Sequence, residues 1–162
     1  MTFYKRPLAG RTTEVSNSTT ATEKNLTRVI GYARVSTEGQ AQDGVSLDAQ
    51  RAKLNAYAMA MDLELVEIIL DEGRSAKTLQ RHGLQKALSM LAHGQADALL
   101  VTKLDRLTRS VKDLGFLVDR YFASGRYSLL SVSDSIDTRS PSGRLVLNVL
   151  GSVSQWEREA IV

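Results

Sequence analysis

Apolar and polar positions follow two periods in turn along this chain. Runs rich in branched apolar residues near 28–34, 64–70, 97–102 and 128–133 read as strands, and the segments between them carry helical spacing. Ser46 stands as a cap before Leu47, Leu54, Tyr57 and Ala58, and Leu84, Ala87, Leu88 and Leu91 form a second stripe that Gly94 stops. Ser110-Val111-Lys112-Asp113 has the form of a capping box, so a third helix is predicted to present Val111, Leu114, Leu117 and Val118 to the core. Asp105 to Arg109, just before it, then reads as loop. Ser140-Pro141 opens a long helix with apolar residues at Leu145, Val149, Val153 and Trp156. That stripe exceeds what one sheet edge needs for cover, so part of it is expected to face a partner. Residues 2–27 are rich in Ser, Thr, Asn and charge and lack any apolar period. The predicted division is a flexible extension over 1–27, an α/β domain over 28–139 and the start of a long helix over 140–162.

Alternation of strand and helix predicts an α/β fold: a mostly parallel central sheet with helices on both faces, a doubly wound three-layer arrangement. Ligands in such folds sit beyond the carboxyl ends of the strands. Two polar stretches fall there. One is Tyr32-Ala33-Arg34-Val35-Ser36-Thr37, in which Tyr32, Arg34 and Ser36 share a face of an extended segment. The other is Lys103-Leu104-Asp105-Arg106-Leu107-Thr108-Arg109, directly after the run 98–102.

Composition narrows the chemistry. The chain has 162 residues with 43% hydrophobic, the size of one domain with ample core, and 21 basic residues against 18 acidic ones permit a polyanionic partner without requiring it. With 0 cysteines there are no disulfides or thiolate metal sites, and His82 and His93 alone make a His-rich metal or hydrolase site improbable. Lys5, Arg6 and Pro7 stand where a signal peptide needs an apolar core, and no apolar run reaches the roughly 18 residues of a membrane span. A soluble, cytoplasmic protein without a membrane partner is expected.

Each candidate has a plain structural reading. Ser36 alone is a turn former, Arg34 an outward-facing residue paired with a carboxylate, and the basic run a solvated surface with an Asp105–Arg109 ion pair worth under about 1 kcal/mol. Position argues against this, since arginines gathered at strand tips present planar forks suited to phosphate oxygens. The chain has no Gly-x-Ser-x-Gly elbow, phosphate-binding loop, dinucleotide fingerprint or His-Glu-x-x-His. Phosphoryl transfer by a serine remains.

The segments Tyr32 to Thr37 with Gln40, Leu47-Asp48-Ala49-Gln50, Arg81-His82-Gly83-Leu84 and Lys103 to Arg109 together resemble the serine recombinases of the resolvase/invertase family. The likeness covers about residues 28–162, and the stretch 39–47 is most similar to the large integrase and transposase branch. The resemblance implies that Ser36 attacks a DNA phosphodiester to form a 5′-phosphoserine link, with strand exchange and rejoining to follow and no cofactor or metal. It implies that Arg34, Arg81, Arg106 and Arg109 hold the phosphate and that Asp105 orients groups or handles protons. Tyr32, Gln40, Gln50 and Lys103 would support substrate. It also implies bacterial or phage origin, dimers pairing into tetramers through the long helix, and a further DNA-binding module beyond it. On that reading residues 1–162 alone bind DNA weakly or without sequence preference. The alternative is a non-catalytic dimerisation or phosphate-binding domain of the same fold.

Overall fold

The computed structural model describes residues 24–35, 46–73 and 78–161; Ser36 and Gln40 lie outside them. Strands β1 (Arg28–Val35), β2 (Glu64–Glu72), β3 (Ala98–Val101), β4 (Ser128–Ser131) and β5 (Ile136–Asp137) form one sheet in the order β2-β1-β3-β4-β5. The first four are mutually parallel, and β5 returns antiparallel to β4. Helices α1 (Leu47–Ala60), α2 (His82–Ala92), α3 (Val111–Leu117) and α4 (Pro141–Ala160) cover the sheet. Among the described residues, no helix is long and apolar enough to cross a membrane.

Strand pleating splits the core in two. Val29 and Ala33 of β1 pack with Leu100, Leu130, Leu54 and Ala58, so α1 covers that face. Ile30 and Tyr32 point the other way, into a larger cluster with Leu84, Leu88 and Leu91 of α2, Leu99 of β3, Leu117 of α3 with Phe122 just after it, and Leu147 of α4. The strand ends of β1 and β3 therefore lie between two filled layers, and β1 is buried along nearly its whole length.

The predicted caps operate. Ser46, Ser110 and Ser140 Oγ accept from the amides of Ala49, Asp113 and Gly143 at 3.0–3.2 Å. Gly94 adopts φ +70°, the left-handed conformation that ends α2. Two expectations are corrected, and two features carried no sequence signal. Val111 is turned outward on α3, with the core contacts left to Leu117 and Val118. That helix then loosens into a π-helical turn, Val118–Phe122. The expected loop at Asp105 begins as a 3₁₀ turn, Leu104–Arg106. The short strand β5 has too few residues for a period-2 signal.

Helix α4 turns outward the whole of the stripe of which only part was expected to face a partner. Its inner face is not the apolar stripe but Gly143, Leu147 and Ser154, while Leu145, Val149, Val153 and Trp156 are 65%, 53%, 42% and 68% exposed. The reason is steric. A Cβ on Gly115 of α3 would fall inside the side chain of Ser154. Small residues at the crossing let the two backbones approach, and the bulky stripe is left facing out.

Candidate active site

The sheet order reverses between β1 and β3, which opens a crevice at the carboxyl ends of those two strands. Arg34 ends its side of the crevice and the 3₁₀ turn after β3 forms the other. Arg106 Nη1 donates across it to the carbonyl of Arg34 at 3.0 Å. Gln50, on α1, grips the same peptide from the opposite side: Nε2 donates to Arg34 O at 3.1 Å and Oε1 accepts from Arg34 N at 3.3 Å. The backbone that leads directly to Ser36 is thus clamped from two elements.

Arg81 enters from the start of α2. Its Nη1 donates to Arg106 O at 3.0 Å and its Nη2 to Leu107 O, so this guanidinium braces the 3₁₀ turn. It also stands over the Tyr32 ring, 5.6 Å from the centroid. Arg81 Nε is buried with no hydrogen-bond partner among the described residues.

Three guanidiniums are buried here, Arg34 and Arg81 each 2% exposed and Arg106 8%. The solvated reading of Arg34 is thereby overturned. Burial, followed by the like charges of Arg106 and Arg81, lowers the Arg34 pKa. Burial also lowers that of Arg81, with Tyr32 and Asp71 opposing. Burial raises the Tyr32 phenol, and its bond to Asp71 adds to the rise. For Asp105, burial works upward, but the hydrogen bond and charge of Arg106, with Lys103 and Arg109, hold the carboxyl below its ordinary range. Asp105 Oδ1 accepts from Arg106 Nε at 3.0 Å, so its close partner is the adjacent arginine. Lys103 and Arg109 are exposed at the edge of the cluster.

Asp71, at the end of β2, is a functional candidate that the sequence reading passed over. It is 6% exposed and takes three bonds: Tyr32 Oη at 2.8 Å, Gly83 N at 2.9 Å and Leu84 N at 3.0 Å. Arg81 occupies the cap position of α2 and supplies no side-chain cap of its own, so Asp71 does that work from the neighbouring strand. Gly83 is required because a Cβ there would stand 2.7 Å from Asp71 Oδ1. The available signal was the acidic pair Asp71-Glu72 after the apolar run Ile68-Ile69-Leu70, much like the signal that exposed Arg34.

Residues 29–162 match the family model for the resolvase N-terminal domain. This chain belongs to the resolvase family of serine recombinases. It is 40% identical over 134 residues to the DNA-invertase of Escherichia phage P1, an overlap of 83% of this chain and 64% of that protein. The serine recombinase gin of Escherichia phage Mu is 41% identical, over 83% of this chain and 62% of its own length. The recombinase catalytic domain thus spans under two thirds of these relatives. Among solved structures, the N-terminal catalytic domain of TP901-1 integrase superposes with a TM-score of 0.75 at 38% identity, covering 83% of this chain and 99% of that one.

Proposed function

We propose that this chain is the catalytic domain of a site-specific DNA recombinase whose nucleophile is Ser36. The observation that carries the reading is the gathering of Arg34, Arg81 and Arg106, three buried cations, at the crevice where the strand order reverses. Their bonds to backbone carbonyls hold the turn and the end of β1 but leave three like charges close together, a cost that a bound phosphodiester offsets. Ser36 follows Arg34 by two residues, beyond the peptide that Gln50 and Arg106 clamp.

In this mechanism Ser36 Oγ attacks the phosphorus as its proton departs. The bond from phosphorus to the 3′ oxygen breaks, that oxygen leaves as a 3′-hydroxyl after taking up a proton, and the 5′ phosphate stays on serine. Rejoining is the reverse attack by a 3′-hydroxyl. Serine is a weak nucleophile, and the guanidiniums supply a field that favours its alkoxide and the charge of the transition state without a metal. Asp105, ionised at neutral pH, orients the Arg106 fork. Tyr32 and Gln50 support the pocket from behind, while Arg109 and Lys103 meet the DNA backbone. Residues 140–162 carry self-association: the exposed Leu145, Val149, Val153 and Trp156 offer α4 a second apolar face. A concentration-dependent sedimentation coefficient that Val149→Asp abolishes supports that assignment, and a strictly monomeric species at every concentration rejects it.

The test compares the full-length protein with Ser36→Ala on plasmids carrying the sequences that flank its gene, by denaturing electrophoresis. Protein covalently joined to 5′ DNA ends, lost in Ser36→Ala, is the expected result. No adduct on DNA shown to be bound would favour the non-catalytic assembly reading.

A further inference from the structure

The two helical elements beside the buried Arg81 and Arg106 are each capped by a carboxylate from elsewhere in the sheet layer. Asp71 does this for α2. The 3₁₀ turn Leu104–Arg106 has the same need: Lys103 stands at its cap position and brings no acceptor, leaving the Leu104 amide without a partner inside the turn. Asp134, in the link between β4 and β5, supplies it. Its Oδ2 accepts from Leu104 N at 2.8 Å and from Ser131 Oγ at 2.6 Å. Ser131, at the tip of β4, is 1% exposed and fixes the carboxylate from below. Two ladder bonds beyond the strand ends, Val132 N to Val101 O at 3.0 Å and Ser133 N to Thr102 O at 2.8 Å, align the link beside the turn. Ser135 takes φ +53° to turn the chain back after Asp134, an unfavourable conformation for a residue with a side chain.

We infer that Asp134 is a positioning residue for the reaction: it sets the 3₁₀ turn and through it the placement of Asp105 and Arg106. The turn holds the site from several points, because Arg106 Nη1 reaches Arg34 O and the carbonyls of Arg106 and Leu107 receive Arg81. A slip of the turn therefore moves Asp105 and loosens both arginines at once. The inference rests on the proposed recombinase chemistry.

Because both donors use one oxygen, Asn can keep both bonds and lose only the charge, whereas Ala loses both. The measurement is single-turnover formation of the 5′ adduct by full-length wild type, Asp134→Asn and Asp134→Ala, with DNA affinity and hydrogen exchange of the Leu104 to Leu107 amides measured alongside. Asp134→Ala is expected to slow adduct formation about tenfold to a hundredfold, the scale of a small displacement of catalytic groups. Affinity should change less than about twofold, since the exposed basic residues at the rim are untouched. Exchange at Leu104 should rise at least about tenfold, and Asp134→Asn should recover most of the rate. Wild-type rate and unchanged Leu104 exchange in Asp134→Ala overturn the inference, as does a rate loss matched by lost affinity that Asn does not recover. A wild type that forms no adduct counts against the recombinase reading instead, and the exchange data then decide whether Asp134 holds the turn.

Discussion

Asp71 offers the most direct test of how the site is held. Asp71→Ala leaves the Tyr32 hydroxyl and the Gly83 and Leu84 amides without their acceptor, all at buried positions. An orphaned buried donor costs about 1–3 kcal/mol, but removal of a buried carboxylate recovers part of the sum, so the net loss is expected at about 3–5 kcal/mol. Asp71→Asn should cost about 2 kcal/mol: its one oxygen can serve Tyr32 and Leu84, which share Oδ2, while its amide opposes the Gly83 N–H. The decisive arm is a double-mutant cycle with Tyr32→Phe, read by urea unfolding with far-ultraviolet circular dichroism. Tyr32→Phe removes a bond to a charged acceptor and should cost about 1.5–3 kcal/mol in the wild type. It should cost about 1 kcal/mol with Asp71→Asn and close to nothing with Asp71→Ala, a coupling of about 2 kcal/mol. Equal costs of Tyr32→Phe in all three backgrounds, or a neutral Asp71→Asn, would refute the bracing role.

Arg34→Met should raise unfolding stability by about 1 kcal/mol, because it removes one of the clustered buried cations, and lower adduct formation about a hundredfold to a thousandfold; urea midpoints and adduct rates check the pair. Ser154, fully buried with an Oγ that has no partner among the described residues, should tolerate Ala with a gain of about 1 kcal/mol. Gly115→Ala should lose about 2–3 kcal/mol in the same urea assay by forcing α3 and α4 apart, and a neutral result would reject the tight crossing. Asp97 and Asp137 are held below the ordinary carboxylate range, Asp97 first by its bond to Arg28, and Asp137 by its bonds to Arg139 against the upward effect of burial; Asp105 is lowered likewise. Depressed carboxyls contribute stability that is present above the unfolded pKa, about 3.9, and lost as pH falls through the lower folded values. Thermal melts should thus be flat from neutrality to about pH 5 and fall steeply below about pH 4.

Much of the site was legible because its residues lie at the ends of strands. An apolar run that stops at Arg34, and another that stops before Lys103, mark the carboxyl edge of a parallel sheet whatever the sheet order. The caps at Ser46, Ser110 and Ser140 were equally local, since each acts on an amide three residues on. The cross-strand caps were not legible. Asp71 and Asp134 act on amides 12, 13 and 30 residues away, and no local spacing connects them. For Arg81, only the family likeness implied a phosphate ligand, and the two bonds that its nitrogens make to backbone carbonyls carried no local sequence signal.

By itself, then, the sequence determined the four α-helices, the first four strands and the polar tips of β1 and β3, because those features depend on period and on neighbours within one turn. Only the tertiary structure decided the strand order, and with it the pairing of β1 and β3 that makes one crevice from two tips. It also decided which face of α4 turns inward. Hydropathy favours Leu145, Val149, Val153 and Trp156, yet those stay exposed, because the close approach of α3 at Gly115 admits only a small side chain such as Ser154. Shape at a helix crossing is a property of two surfaces, and one helix's sequence records only half of it.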